Sequence, residues 1–148
     1  FMQEDEPNAG VFELLVFTLS KMKKADENTK RLLVLNFEFK ILTFLGFDPI
    51  LDFCALCSND FSENRFPFGI SFSTGGVICN LCKATDAKSL SREAVKFLLN
   101  LKVSKESEVF SIKVSSSVFS EVEKVVCEYT EHILESPLKS LTVFEKVG

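Results

Sequence analysis

Residues 54–82 read CALCSNDFSENRFPFGISFSTGGVICNLC and contain two Cys-x-x-Cys pairs, Cys54/Cys57 and Cys79/Cys82. Each pair puts two thiols at one tight turn, and the residues between the pairs can form a short hairpin that brings the turns together. Four thiolates that converge as a tetrahedron are typical ligands of structural Zn2+. We therefore predict a structural zinc site. Two disulfides, which suit secreted proteins, or thiols that never meet are the alternatives.

The residues between the pairs favour this hairpin. Over 66–72, large apolar residues alternate with Pro, Gly and Ser at a period of two, as in a β-strand. Ser73-Thr74-Gly75-Gly76 predicts the turn, because glycine adopts positive φ without steric cost. Four cysteine ligands leave no open coordination position, so we expect a closed structural centre. Arg65 and Lys83, with backbone amides of the two turns, are expected to offset its negative charge.

Composition limits the function classes. The 148 residues suit one domain, or one domain with an insert, and 46% hydrophobic residues can form a substantial core. The formal net charge of −4 argues against strong phosphate binding by this chain alone, although a local basic face is compatible with it.

Targeting signals and membrane spans are not evident in the sequence. No apolar run approaches the ~20 residues that a membrane span needs, and no signal peptide is visible. Cysteines in metal spacing then indicate a reducing cytoplasm. Because the chain begins Phe1-Met2 and soon becomes acidic, we expect a fragment whose N-terminal part is missing.

Apolar residues at helical spacing predict four helices. We expect them over 10–24 with Asn8 as the cap, over about 29–45 with Gly46 at the end, after a cap at Ser91, and from about Ser117. The second helix is apolar in nearly every direction, which places it at the centre of a bundle. Residues 102–117 fit a short strand or an extended connector. Pro137 predicts a break, followed by a final short helix over 138–147.

These elements predict a mainly α fold, a helical bundle with an inserted small β-hairpin module of the zinc-ribbon type. The expected boundaries are 1–51 for the first part of the helical domain, 52–88 for the four-cysteine zinc module, and 89–148 for the second part of the helical domain.

Several segments, taken in order, match one family. They are Glu6-Pro7-Asn8, residues 12–15, residues 37–42, residues 45–49, Cys54-x-x-Cys57, residues 75–79, Cys82, Tyr129, His132 and Leu138-Lys139-Ser140. Together they resemble the C-terminal region of the RecO family of bacterial recombination mediators. The passage from the second helix through Gly46 to the first cysteine pair is the specific part, since cysteine pairs alone occur in many zinc proteins.

The resemblance implies a non-enzymatic role in recombinational DNA repair. Family members have an N-terminal OB-fold, which we expect to belong to the missing N-terminal part, and an α-helical domain that often carries a zinc finger. They bind single- and double-stranded DNA, anneal complementary strands, and with RecR help load RecA onto DNA coated by single-stranded DNA-binding protein (SSB). The resemblance therefore implies a bacterial, nucleoid-associated protein whose C-terminal part docks partners, including the SSB tail, while DNA binds mainly through the OB-fold.

Catalytic residues are not indicated. The one histidine, His132, borders the apolar stripe of the fourth helix, where a packed or partly exposed helix residue is expected. Cys127 points away from that stripe and has no base at a spacing that would activate it, so we interpret it as a free thiol without a function.

A basic cluster is the candidate partner contact. Lys21, Lys23, Lys24, Lys30 and Arg31 gather around the first helix connection. The simpler interpretation is a solvated surface with helix-end charge balance; the sharper one is a cationic rim for the acidic, aromatic SSB tail, which charge reversal at Lys24 and Arg31 should abolish. Lys139 is a second candidate for a partner or nucleic-acid contact.

The preferred function is thus that of a RecO-like mediator. The alternative is a zinc-ribbon protein–protein interaction module of a transcription or other cytoplasmic assembly. A metalloenzyme is the third and least favoured reading, because the site is expected to be closed.

Overall fold

The computed structural model describes residues 7–147, and side chains over 9–135. Within this range the helices are α1 (Pro7–Met22), α2 (Glu27–Phe44), α3 (Arg92–Val103) and α4 (Ser116–Val147), and the strands are β1 (Pro67–Ser71), β2 (Gly76–Cys79) and β3 (Lys88–Ser89). A 3-10 helix, Glu106–Ser111, connects α3 to α4. The predicted mainly α fold with a small β-hairpin module is confirmed.

Helix ends follow from local chemistry. Asp26 caps α2, because its carboxylate accepts a hydrogen bond of 2.8 Å from the Thr29 N–H, so α2 begins earlier than predicted. Gly46 ends it as predicted, with a φ of 83° that glycine tolerates. Ser91 caps α3 as predicted, accepting from the Ala94 N–H at 3.1 Å. α1 starts at Pro7, so Asn8 lies inside the helix and does not cap it.

Two expectations for the C-terminal half are wrong. Residues 102–117 contain the end of α3 and a 3-10 helix where a strand or extended connector was expected. α4 is a single helix from Ser116 to Val147, without the break that Pro137 predicted. A proline removes one intrahelical hydrogen bond, and a long helix can continue past that position because its other hydrogen bonds remain.

α2 is central, but two of its polar side chains, Asn36 and Lys40, are buried. Asn36 is fully buried and Lys40 is 8% exposed, whereas the apolar Val34 is 44% exposed. Lys40 reaches the connection after α3, where its Nζ donates to the Ser104 carbonyl at 2.6 Å and to Glu106 Oε1 at 2.9 Å. The buried ammonium therefore has partners that the sequence spacing could not reveal.

The strands form one antiparallel sheet in the order β2-β1-β3. β1 and β2 are the predicted hairpin, with Ile70 opposite Val77 and Ser71 opposite Gly76. Gly75 in the turn has a φ of 94°, as a glycine turn requires. β3 pairs with the other edge of β1 and was not predicted, because two polar residues carry no strand pattern.

The sheet and the helices share one hydrophobic core. Buried side chains from the sheet region, Leu51, Ile70, Val77 and Leu90, belong to the same cluster as buried side chains of the helices, among them Leu35, Phe39, Leu98, Val122 and Val126. Cys54, Ile78 and Cys79 form a separate small cluster. The expected boundaries at 51/52 and 88/89 stay a prediction, and strand residues inside the expected zinc module, Ile70 and Val77, pack in the same core as the helices.

No helix in the described part of the chain combines the length and apolarity that crossing a membrane demands.

Candidate metal centre and basic cluster

The four cysteines of the two Cys-x-x-Cys pairs converge. The Sγ atoms of Cys54, Cys57, Cys79 and Cys82 all lie within 4.8 Å of one another. Neighbouring Sγ atoms are 3.7 Å apart for Cys54/Cys82, 4.0 Å for Cys57/Cys79 and 3.5 Å for Cys79/Cys82. A tetrahedron with metal–sulfur bonds of ~2.3 Å has edges of about 3.8 Å. The spacing therefore fits one central ion, and all four cysteines are free thiols, so both alternatives, disulfides and separated thiols, are wrong.

Backbone pairing holds the first turn beside the second. The Cys54 N–H donates to the Asn59 carbonyl at 3.0 Å, and the Ala55 N–H donates to the Val77 carbonyl of β2 at 2.8 Å. Ser58 closes the turn with a φ of 65°. Cys79 ends β2, so the hairpin brings the second pair of thiols to the first. The predicted hairpin is thus what positions the cluster.

Hydrogen bonds to sulfur balance the cluster's charge. The Arg65 guanidinium donates to Cys57 Sγ at 3.3 Å and to Cys79 Sγ at 3.5 Å. The Cys79 N–H donates to Cys54 Sγ at 3.3 Å, and the Asn59 side-chain amide donates to Cys57 Sγ at 3.3 Å. The structure places Arg65 and backbone amides of the turns against the sulfurs, where they were predicted to offset negative charge. Asn59 was missed, although its position two residues after Cys57 could have suggested it.

Hydrogen bonds and burial shift the pKa values of the clustered thiols in opposite directions. Hydrogen bonds from Asn59, backbone first and side chain second, lower the pKa of Cys57 to about 6. Partial burial and hydrogen bonding to the Cys79 thiol raise the pKa of Cys82 to about 12. A thiol cluster can hold all four groups as thiolates only when a cation compensates them. The donor set and its surroundings therefore suit a metal ion, and the four cysteines can hold one.

The structure divides the predicted basic cluster between two clefts. Lys21 and Lys24 line an open cleft of about 580 Å³, together with Phe110 from the 3-10 helix. The Phe17 ring adjoins it, with its centroid 6.3 Å from that of Phe110, and Lys21 Nζ lies 5.9 Å from the Phe17 ring. This cleft combines two cations with aromatic surface, and the carboxylate-bearing Asp26 also lines it.

Arg31 belongs to the second cleft, of about 280 Å³, with Leu32, Ile112 and Phe119. Its guanidinium donates to both carboxylate oxygens of Glu123 on α4 and stacks 5.0 Å from the Phe119 ring. Because Glu123 is 92 residues away in sequence, nothing in the local pattern could reveal this pairing. Arg31 therefore serves the packing of α2 on α4, in addition to any role toward a partner.

The remaining candidate residues are dispersed. Lys30 pairs with Glu27 at 3.8 Å within the first turn of α2, and Lys23 is exposed after α1. Lys139 lies outside the residues whose side chains the structure describes. His132 is exposed on α4, with its ring 5.7 Å from that of Phe72, and Cys127 is exposed and outside the thiol cluster.

Comparison with known proteins finds the same family by a family model and by individual relatives. The family model described as Recombination protein O C terminal matches residues 1–142. Among similar curated proteins is the DNA repair protein RecO of Caldanaerobacter subterraneus subsp. tengcongensis, 30% identical over 94% of this chain and 55% of the relative. The DNA repair protein RecO of Desulforamulus reducens is 28% identical over 99% of this chain and 56% of the relative. The chain thus spans about half the length of these relatives, and no solved structure matches it significantly.

Proposed function

Since this chain belongs to the family of the RecO C-terminal region, we propose that it acts in recombinational DNA repair as a scaffold and docking part of a mediator, without bond-breaking chemistry of its own. The match over residues 1–142 is the observation that carries the proposal, and the names of the curated relatives support it. It favours a repair role over a zinc-ribbon module of a transcription assembly. RecR, SSB, DNA and, indirectly, RecA are the proposed partners of the full-length protein in a bacterial cytoplasm.

A strand-annealing assay tests this role. Complementary labelled oligonucleotides coated with SSB are mixed with the full-length protein, with this chain, or with neither. We expect the full-length protein to accelerate annealing well above the spontaneous rate, and this chain to do so weakly. A full-length protein that leaves the spontaneous rate unchanged would contradict the mediator role.

We propose that the four-thiol cluster holds one structural Zn2+, supported by its tetrahedral spacing and by the Arg65 and amide hydrogen bonds. Zinc there would hold the hairpin closed. Metal analysis of protein purified without chelator should find one zinc per chain, and Cys79→Ser should remove most of it. Cys127→Ser is the matched control, because this cysteine is exposed and outside the cluster, and it should leave the zinc content unchanged.

We propose the cleft of Lys21, Lys24 and Phe110 as the dock for the acidic, aromatic SSB tail. Lysines can meet the peptide's carboxylates while the Phe110 and Phe17 rings accept an aromatic side chain. A fluorescent acidic peptide that ends in Phe should bind weakly, and Lys24→Glu should reduce its affinity at least about tenfold.

The ion pair of Arg31 changes how its charge reversal has to be tested. Arg31→Glu alone places two carboxylates together and disturbs the packing of α2 on α4. The double swap Arg31→Glu with Glu123→Arg restores the pair, so it separates packing from docking. If the peptide binds the Lys24→Glu variant as well as the wild type, the proposed dock is wrong.

A further inference from the structure

An exposed aromatic side chain lies on β1 beside the thiol cluster. The register of β1 against β2 shifts between Pro67 and Gly69, as at a β-bulge, and Phe68 at this point is 56% exposed. A bulge commonly redirects a side chain. The neighbouring backbone is fixed, because the Leu90 N–H donates to the Phe68 carbonyl at 3.2 Å and a Cβ on Gly69 would lie 2.7 Å from the Lys88 carbonyl oxygen.

A second aromatic ring and an arginine adjoin Phe68. The Phe66 and Phe68 centroids are 6.4 Å apart with an interplanar angle of 66°, and the Arg92 guanidinium carbon lies 4.1 Å from the Phe66 centroid. The Phe66 N–H donates to the Asn80 side chain at 2.9 Å, which fixes the backbone at this ring relative to the second cysteine turn. Phe66 and Phe68 therefore form an edge-to-face pair, and hydrogen bonds hold the backbone at both residues.

Arg92 has donors available for an anion. It is exposed at the first position of α3, and stacking on Phe66 occupies one face of the guanidinium while its N–H groups point outward in the plane. Lys96 is exposed one turn further along the same helix, and Glu93 is the acidic neighbour. Arg92 therefore borders the aromatic pair on the α3 side, and Lys96 is a further cation on the same helix.

We propose that Phe66, Phe68 and Arg92 form a contact for single-stranded DNA, in which a base stacks on Phe68 and Arg92 binds a phosphate. This inference rests on the proposed repair function and gives its nucleic-acid contact a place in this chain. Exposed rings beside cations are how proteins bind unpaired strands, and every base offers a face for stacking. A duplex has its bases stacked on each other, so it cannot use Phe68 in this way.

A protein partner fits this surface less well. A stable protein interface needs roughly 800 Å² from each side, whereas this surface offers two aromatic rings bordered by charged side chains. The chain's net charge of −4 further predicts that DNA binding is weak and confined to this local group of cations.

Fluorescence tests the stacking directly. The chain contains no Trp, so Phe68→Trp introduces a single indole at the proposed contact. Titration with an oligothymidine of about 15 nucleotides should quench its emission, and a duplex of equal length should quench it far less. Phe12→Trp, on α1 at a position that is 66% exposed, is the matched control and should not be quenched.

Affinity measurements separate base stacking on Phe68 from phosphate binding by Arg92. By anisotropy of a labelled oligothymidine, Phe68→Ala should weaken binding by about tenfold, the loss of one stacked base. Arg92→Ala should reduce the slope of log affinity against log salt by about 0.7, the value for one phosphate contact on a single strand. Arg92→Lys should retain that slope. Unchanged zinc content and circular dichroism would show that each variant is folded.

Several outcomes would overturn the inference. These are equal quenching in the two tryptophan variants, equal binding of duplex and single strand, no binding of oligothymidine by the wild type, or a change in sedimentation with Phe68→Ala that reveals a protein interface. The annealing assay on the unaltered full-length protein is independent of these results. Annealing that persists with Phe68→Ala and unchanged affinity would therefore reject this contact and leave the proposed function standing.

Discussion

Lys40 of α2 is a charged residue that is buried, and its hydrogen-bond partners compensate for the burial of its charge. Its side chain is 10% exposed and meets Glu106, whose side chain is 39% exposed. Glu106→Gln leaves the ammonium buried without its counter-charge, so we expect the free energy of unfolding to fall by about 1–3 kcal/mol, less than for a fully buried pair. Lys40→Met removes the charge itself and should cost less than about 1 kcal/mol. Urea unfolding, followed by circular dichroism, measures both, and a larger loss for Lys40→Met would contradict this reasoning.

For single residues, the sequence predicts a role when the interacting partners lie close by in the sequence. The four cysteines, Arg65 and the Ser91 cap could be predicted because short spacing fixes their geometry. The partners of Lys40 and Arg31 could not be, since each lies more than 60 residues away and depends on how the helices pack. The division of the basic cluster between two clefts follows from the same cause.

At the scale of elements, Gly76 at the start of β2 is where the chain before the first cysteine turn meets the sheet. The Ile50 N–H donates to the Gly75 carbonyl at 2.9 Å, and the Val77 N–H donates to the Ile50 carbonyl at 2.8 Å. A Cβ on Gly76 would lie 2.5 Å from the Ile50 carbonyl oxygen and 2.7 Å from its nitrogen. An alanine at position 76 would therefore force the backbone at Ile50 away from β2, and these two segments are paired by hydrogen bonds.

We expect Gly76→Ala to lower the free energy of unfolding by about 2–3 kcal/mol. Gly46→Ala is the control: among the residues that the structure describes, no atom apart from those of its chain neighbours lies within 4 Å of its Cβ position, so only the cost of positive φ, about 1 kcal/mol, applies. Urea midpoints at one fixed zinc concentration compare them. Equal losses at the two positions would show that the close approach to Ile50 has no energetic effect.

Elements whose apolar residues recur at a regular period were predicted from the sequence, and elements without such a repeat were not. The hairpin and the four helices carry apolar repeats, whereas β3 has two polar residues and forms only because β1 offers a free edge. The 3-10 helix likewise has no strong apolar period, and its Val109 is fully buried in the shared core.

At the scale of the whole molecule, the shared core couples the metal centre to the helices. Ile70 and Val77 of the hairpin pack in the same cluster as helical side chains, so opening the hairpin also removes support from the bundle. We therefore expect chelation to lower the midpoint of helix melting at 222 nm by at least ~10 °C, since each 1 kcal/mol corresponds to about 2–4 °C in a domain of this size.

Replacement of zinc after chelation should restore the original midpoint, and Cys127→Ser should melt like the wild type. Helix melting that is the same with and without chelator would mean that the bundle is independent of the metal. Neither the apolar content nor the cysteine spacing could decide this point, because only packing shows which core a strand residue enters.

Tyr129 is the chain's one tyrosine, and no tryptophan competes with it. Its hydroxyl donates to the Phe47 carbonyl just after α2 at 3.0 Å, and its ring lies 5.5 Å from that of Phe72 next to β1. The native chain thus carries an intrinsic optical reporter at the junction of helix, loop and hairpin. Ultraviolet emission from unlabelled protein would record in real time when the β-layer detaches.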